Sequence, residues 1–384
     1  MMTNGWKEVP LGEVLTERRE APTPESLENG EVGIVSKIGF KEGKIEVRID
    51  GKTKTGMILA RPGDLVISGI NAAKGAIAIY PETIRKPIAA TIHYGAYIPN
   101  KERVDIQYLW WFLRSAAFRD IVQHHIPGGI KTELKSKRLL AVPVPLPSLK
   151  EQQCILAHIE SLAARVNEAQ RLREEVEKES ELLLRSIFAD NSDGELIPTP
   201  MRELVSLREP DVTVTPDEFY HFAGTYSFGR GMFRGIKKKG NQFAYKKLTR
   251  LHTNDFTYPK LMAWEGAYAV IPPECDGLVV STEFPVFELN QEKILPETMA
   301  VYFRNPAIWE TLSGQSTGTN VRRRRLNPQI FLNYQFPLPP MKRQLLLRDV
   351  QAKVNSLREL QSASGEELSA LMPSVLDRAF RGEL

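Results

Sequence analysis

Only two cysteines stand in 384 residues, Cys154 and Cys275, and they form no C-x-x-C pair. A disulfide framework and a zinc site are both disfavoured, and this usage fits a reducing cytoplasm. No apolar run approaches the ~20 residues that cross a bilayer. The opening stretch, MMTNGWKEVPLGEVL, has no basic leader and no apolar core, so no export signal is expected. The six histidines show no metal-ligand spacing. Catalytic motifs are equally scarce. GKT at 51–53 lacks the phosphate-loop glycine, because Glu46 stands there. GRGMFRG at 229–235 is one residue too long for the dinucleotide fingerprint, and no [DNS]-P-P-[YFW] tetrapeptide of an amino-methyltransferase occurs. Glu133 and Lys135 have the E-x-K spacing of metal nucleases, but no converging partners accompany them.

What the chain does have is a copy of itself. AVPVPLPSLKEQQ at 141–153 returns as NYQFPLPPMKRQL at 333–345. GDLVIS…KGAIAIY (63–80) aligns with NDFTYP…EGAYAVI (254–271), and LWWFLRSAAF (109–118) with MAVYFRNPAI (299–308). Gly128 falls opposite Gly318. The offset holds near 190 throughout, which marks a tandem duplication. Each copy ends in a long heptad-patterned stretch, closing on SIFADNSDGEL (186–196) and RAFRGEL (378–384).

The composition, 42% apolar and 26% charged, is that of an ordinary soluble protein. The net charge of +4 is unevenly spread. Residues 1–149 hold 21 basic against 16 acidic side chains, a net of +5. Residues 150–190 hold 6 against 9, a net of −3. Lysines cluster at 237–239 and arginines at 322–325.

Short β-type runs separated by turns fill residues 1–145, with a helix predicted over 105–123. The domains read as 1–147, a first module; 148–190, a long helix; 191–339, a second module; and 340–384, a second long helix. Ser148 and Glu151 form a capping box at the first helix. Pro340 takes the serine's place at the second, and Pro373 should kink that helix or start a separate last turn. The heptad seam places Ile155, Ile159, Leu162, Val166, Val176 and Leu183 against Leu347, Val354, Leu368 and Val375. The fold class is therefore α+β: two tandem α/β modules held by two long antiparallel coiled-coil helices, with pseudo-two-fold character.

Basic residues interleave with small, polar and aromatic ones in the loops of both modules. Lys and Arg neutralise phosphates, and Asn, Ser, Thr and Arg can read base edges. The candidate DNA contacts in the first module are Lys37, Lys41, Ser68, Asn71, Lys74, His93, Tyr94, Lys131 and Lys135. In the second they are Tyr226, Arg230, Arg234, Lys237, Lys246, Thr319, Asn320, Arg322, Arg323 and Arg324. No catalytic or metal-ligating residue emerges.

PLPSLKEQQ (145–153), PLPPMKRQ (337–344), RPGDLVIS (61–68) and RAFRGEL (378–384) give the chain its resemblance. It resembles the specificity subunits of type I restriction–modification systems. Two departures stand out. Arg343 occupies a position usually acidic in that family, and DFTYP (255–259) replaces the usual D-L-L-I-S form. The resemblance implies that each module is a target recognition domain reading one half of a bipartite, asymmetric DNA site. It implies that the helices set the spacer and dock two modification subunits. Those subunits use S-adenosylmethionine to methylate adenine, and restriction subunits can join. The chain itself then binds no cofactor, is no enzyme, and works in the cytoplasm on double-stranded DNA. The competing reading is a coiled-coil interaction scaffold that reads no DNA sequence.

Overall fold

The structure is a computed structural model that describes residues 6–48, 55–125, 133–314 and 325–383. The chain divides into two compact units, 1–171 with 363–384, and 172–362. The candidates Lys131, Thr319, Asn320, Arg322, Arg323 and Arg324, and the Gly128–Gly318 correspondence, lie outside the described residues.

The first unit begins with β1 (Lys7–Pro10), β2 (Leu15–Glu17), α1 (Pro24–Glu28), β3 (Gly33–Ile38), β4 (Ile45–Arg48) and β5 (Met57–Ala60). It continues with β6 (Leu65–Ser68), β7 (Ile77–Ile79), β8 (Ile88–Thr91) and β9 (Tyr94–Pro99). Then come α2 (Ile106–Arg114), α3 (Ala116–His125), α4 (Ser136–Leu140), β10 (Pro143–Leu146) and the 41-residue α5 (Leu149–Ala189), which continues into the second unit. The next module carries β11 (Ile197–Pro200), β12 (Val205–Leu207), β13 (Val212–Thr213), β14 (Phe219–Thr225), β15 (Met232–Lys239) and β16 (Lys247–Arg250). After these follow β17 (Phe256–Thr257), β18 (Ala269–Val270), β19 (Val279–Ser281) and β20 (Val286–Leu289). Its helices are α6 (Pro296–Phe303), α7 (Pro306–Gly314) and α8 (Pro328–Asn333), then β21 (Gln335–Leu338) and the 40-residue α9 (Met341–Phe380).

The duplication is written in the strand order. One four-stranded sheet runs β2-β9-β6-β7, and its counterpart runs β12-β20-β17-β18. The second sheet is β4-β3-β8-β5 in the first module and β13-β16-β19-β14-β15 in the next. β3–β8 and β14–β19 are the parallel pairs of these second sheets. Each module is closed by pairing its first strand with its last, β1 with β10 and β11 with β21.

Matching side chains hold matching places. Asp64 ends the RPGD turn and takes Arg18 Nε at 2.6 Å; Asp255 takes Arg208 at 2.7 Å. Gln152 explains the KEQQ motif. Its Oε1 accepts from Asp105 N at 2.8 Å, and its Nε2 donates to Arg103 O and Pro147 O. Gln344 does the same with Leu295 N, Lys293 O and Pro339 O. Both amides are buried and have donors and acceptor used, the condition under which a buried polar group stabilises.

The two cores differ in filling. The first is mostly aliphatic around Leu65, Ile67 and Leu109, with Tyr97, Tyr108 and Phe112 among them. DFTYP makes the second aromatic: Phe256 stacks on Phe331 at 5.5 Å and Tyr258 on Phe287 at 5.9 Å. The departure from an aliphatic strand is thus a change of packing on an unchanged framework.

The long helices add to these cores within each unit. In the first, Ile159 of α5 shares a core with Leu376, Ala379 and Phe380 of α9, with Ile155 packed at its margin. In the second, Leu184 and Phe188 of α5 share a core with Leu347 of α9. Val166, Val354 and Val375 are buried, and Leu162 and Leu368 are half-buried. Val176 and Leu183, assigned to the seam, are instead 37% and 49% exposed. The inward positions there are Leu184 and Phe188, with Glu177 and Glu181 accepting from Arg358. The cause is arithmetic: a straight helix of 3.6 residues per turn drifts ~20° per heptad, so a strict seven-residue count leaves the face. The Ser148 box forms as predicted, with Ser148 N donating to Glu151 Oε2 at 2.9 Å and Glu151 N to Ser148 Oγ at 3.4 Å. α9 continues through Pro373 to Phe380, so no separate last turn begins there.

Candidate nucleic-acid interface

In both modules a β-hairpin with exposed cations lies at a sheet edge. In the first it is β3–β4, in which Lys37 pairs with Glu46 across the strands at 3.1 Å and Lys41 is exposed in the turn. In the second it is β14–β15, the longer hairpin. Residues 226–239 carry Arg230, Arg234, Lys237, Lys238 and Lys239 and no acidic residue. Arg234 and Lys237 are exposed. A register shift between His221 and Ala223 lets β15 bulge, and bulges re-aim side chains. Tyr226 lies against Phe233 at 4.6 Å, with the Arg230 guanidinium 5.2 Å from the Tyr226 ring centre. Lys246 is exposed in the turn before β16.

Both hairpin turns are fastened to the same place in the duplicated scaffold. In the first, Arg114 Nη2 donates to Phe40 O at 2.8 Å and to Lys41 O. Its guanidinium lies 4.2 Å from the Trp110 ring centre, and burial, opposed by Glu42, lowers its pKa to about 10. In the second, Phe228 N donates to Glu265 O at 2.8 Å and Gly229 N to Gly266 O at 2.9 Å. The Arg304 stem packs under the turn, its Cγ 3.1 Å from where a Gly229 Cβ would sit. Arg114 and Arg304 are equivalent at the 190-residue offset. Arg304 spends its guanidinium elsewhere, on Glu181 at 2.9 Å and Gln351 at 3.0 Å. A cleft of about 740 Å³ separates that ion network from the turn, with Arg185, Arg358 and Tyr268 among its walls.

The remaining candidates scatter around these hairpins. Lys74 and Lys135 are exposed, Asn71 is half-buried, and His93 Nδ1 lies 2.9 Å from Glu133 Oε1. That pairing absorbs the glutamate of the E-x-K triplet. Tyr94 is half-buried against the β3–β8 core, and burial raises its phenol pKa. Ser68 is corrected. It ends β6, an inner strand paired on both sides, and is only 3% exposed, so its hydroxyl does not face a ligand. Arg325, last of the arginine run, is paired with Glu283.

Sequence reading missed the turn residues Phe40 and Phe228, which are 50% and 62% exposed. The signal was present: Phe40-Lys41-Glu42-Gly43 and Phe228-Gly229-Arg230-Gly231 share Phe-x-x-Gly with a basic residue between, 188 residues apart. Arg343, the departure in the second helix motif, is buried and donates to Gly194 O at 2.8 Å. It fastens the GEL segment after α5 to the start of α9. Among the described residues no cluster of His, Cys, Asp or Glu could hold a metal ion, and no helix is long and apolar enough to cross a membrane.

Comparison with known proteins agrees with this layout. Residues 3–178 match the type I restriction modification DNA specificity domain. The specificity subunit of the type I restriction enzyme MjaVIII from Methanocaldococcus jannaschii is 25% identical over 142 residues, 36% of this chain and 33% of that protein. The match therefore spans about a third of the length of that relative. Among solved structures, one from a study of assembly and conformational transition in the type I R-M system superposes over 100% of both chains, with a TM-score of 0.68 at 20% identity. The HsdS subunit from Thermoanaerobacter tengcongensis covers 100% of this chain and 98% of its own, with a TM-score of 0.52 at 22% identity. These two share the fold over the whole length. The first module thus matches the type I restriction modification DNA specificity domain in sequence, the second is built on the same strand order, and the whole chain is similar in fold to an HsdS subunit.

Proposed function

We propose that this chain is the DNA-reading, non-catalytic subunit of a type I restriction–modification complex. Residues 1–147 and 191–339 are two target recognition domains, each reading one half of a bipartite, asymmetric site. The observation that carries the reading is the repeated module: two cationic edge hairpins on duplicated scaffolds, one turn held by the Arg114 guanidinium and the other by the Glu265 and Gly266 carbonyls above the stem of the equivalent Arg304. Phosphate contacts from Arg234, Lys237, Lys246 and Lys41 position the duplex, and neighbouring polar side chains read base edges.

The long helices, 148–190 and 340–384, pair antiparallel as a coiled coil, set the spacer, and dock two modification subunits. S-adenosylmethionine belongs to those subunits, which methylate adenine; the chain holds no cofactor. Restriction subunits join the same assembly, and the complex works in the cytoplasm. Support for the pairing comes from the α5–α9 cores within each unit. The test is to express the chain with its modification subunits and map methylated adenines genome-wide. One bipartite motif is expected, and replacing residues 1–147 by another family member's module should change one half only. Change in both halves, or no motif, refutes the assignment.

A further inference from the structure

Exposed phenylalanines are unremarkable singly, because much of any protein surface is apolar. Phe40 and Phe228 are not single. Each sits at the first position of a Phe-x-x-Gly hairpin turn, on an edge hairpin, at equivalent points of a duplicated module. The glycines that close both turns, Gly43 and Gly231, have positive φ of 62° and 81°. Each turn is tied down from behind, by Arg114 to Phe40 O and by Glu265 and Gly266 carbonyls to the amides of Phe228 and Gly229. Phe228 itself is held at φ 65°, a conformation that a side chain with a Cβ adopts at a cost. The backbone is thus fixed while the ring is left outside. Both hairpins carry cations, Lys37, Lys41 and Lys44 in the first and Arg230 and Arg234 in the second, and the Arg230 guanidinium lies 6.0 Å from the Phe228 ring centre. An apolar ring projecting from a rigid, cationic hairpin matches the chemistry of a polyanion with stacked apolar interiors.

We propose that Phe40 and Phe228 are paired wedges that insert between base steps of duplex DNA, one in each half-site, unstacking the step locally. This rests on the DNA-reading function proposed above and adds a mode of recognition to it. Basic neighbours grip the backbone, and each ring exchanges solvent for a base face. Specificity then arises partly from how readily a step opens, and pyrimidine–purine steps open most easily.

The experiment uses the full chain and a duplex enriched by it from a random-sequence library, with 2-aminopurine scanned through the enriched sequence. Wild-type binding should raise 2-aminopurine fluorescence at one step in each half. Phe40→Ala and Phe228→Ala should each lose about tenfold in affinity, the value of one base–aromatic stack. Each should abolish the fluorescence rise in its own half only, with the salt slope unchanged because no phosphate contact is removed. Phe228→Leu should keep most of the signal. Alanine variants that bind and fluoresce like wild type overturn the wedge while leaving DNA reading intact. So does a loss confined to assembly with modification subunits. Failure of the wild-type chain to enrich any duplex overturns both.

Discussion

Glu181 offers the sharpest test of how α5 meets α9 within the second unit. It lies on α5, is 24% exposed, and accepts from two guanidinium groups at 2.9 Å, Arg304 after α6 and Arg358 on α9. Arg358 also donates to Glu177 at 2.6 Å, so it stays paired if Glu181 is lost. The perturbation is Glu181→Gln, which keeps shape and removes charge. A hydrogen bond to a charged group contributes ~1.5–3 kcal/mol net when well buried. Partial exposure of all three groups reduces this, and an expected total loss of about 1–3 kcal/mol follows. Combining Glu181→Gln with Arg358→Met in a double-mutant cycle isolates the α5–α9 term, expected near ~1 kcal/mol. Urea denaturation at pH 7 reads it directly. The sign with pH is fixed by the carboxylate. Burial raises the Glu181 pKa, but Arg304 and Arg358 outweigh burial and hold it below the usual range. A depressed folded pKa means the contribution is present above the ordinary value near ~4.3 and is lost as pH falls through the folded value. The difference between wild type and Glu181→Gln should therefore shrink on acidification. A coupling below ~0.3 kcal/mol at pH 7 would refute the contact and with it this part of the helix pairing.

Other outcomes follow from the same structure. Gly266 has φ 72°, and a Cβ there would lie 2.2 Å from Trp309 Cε2, so Gly266→Ala should cost about 2–4 kcal/mol by denaturation. Its counterpart Gly75, with the nearest atom 3.0 Å away, should tolerate the change better; equal costs would contradict the packing described. Gln344→Ala removes three hydrogen bonds from a buried site and leaves Leu295 N and two carbonyls without that partner. A loss of about 2–4 kcal/mol is expected, measurable by calorimetry. Neutralising Arg234 and Lys237 together should flatten the salt dependence of DNA binding by up to about two units, one per phosphate contact; an unchanged slope would make that face a solvated one.

The framework was legible because duplication is a comparison carried within one chain. The 190-residue offset fixed the two modules, and PLPSLKEQQ and PLPPMKRQ marked where the long helices begin, since a buried glutamine there has a fixed set of carbonyls and one amide to satisfy. The helix faces were less legible. A heptad template extended from Ile155 reaches Leu183, whereas the helix's own period buries Leu184 beside it. Ser68 looked like a reader because its neighbours are glycine and asparagine; only strand order shows that β6 is an inner strand. Phe40 and Phe228 escaped because hydrophobic residues in isolation read as core. Their meaning depends on two turns being equivalent, and that depends on topology.

The differences between the halves are as informative as the agreements. Both keep the Asp–Arg pair at the strand turn and the glutamine bracket at the helix start, down to the same backbone partners. Both keep an arginine at the end of α2 or α6, but with different duties. Arg114 holds the turn with its guanidinium, while Arg304 supports the turn with its stem and turns its charge toward α5 and α9. The hairpins diverge most: β3–β4 balances Lys37 with Glu46, and β14–β15 carries its cations with no acidic residue of its own. A module that must hold its place while reading a different sequence needs this division. Interactions that set position satisfy buried groups and cannot drift without cost, whereas exposed side chains on a tethered hairpin can change freely. The two halves of this chain should therefore exchange hairpins with little loss of stability and a change in the half-site read. Loss of folding on such an exchange would show that the hairpins, too, are part of the frame.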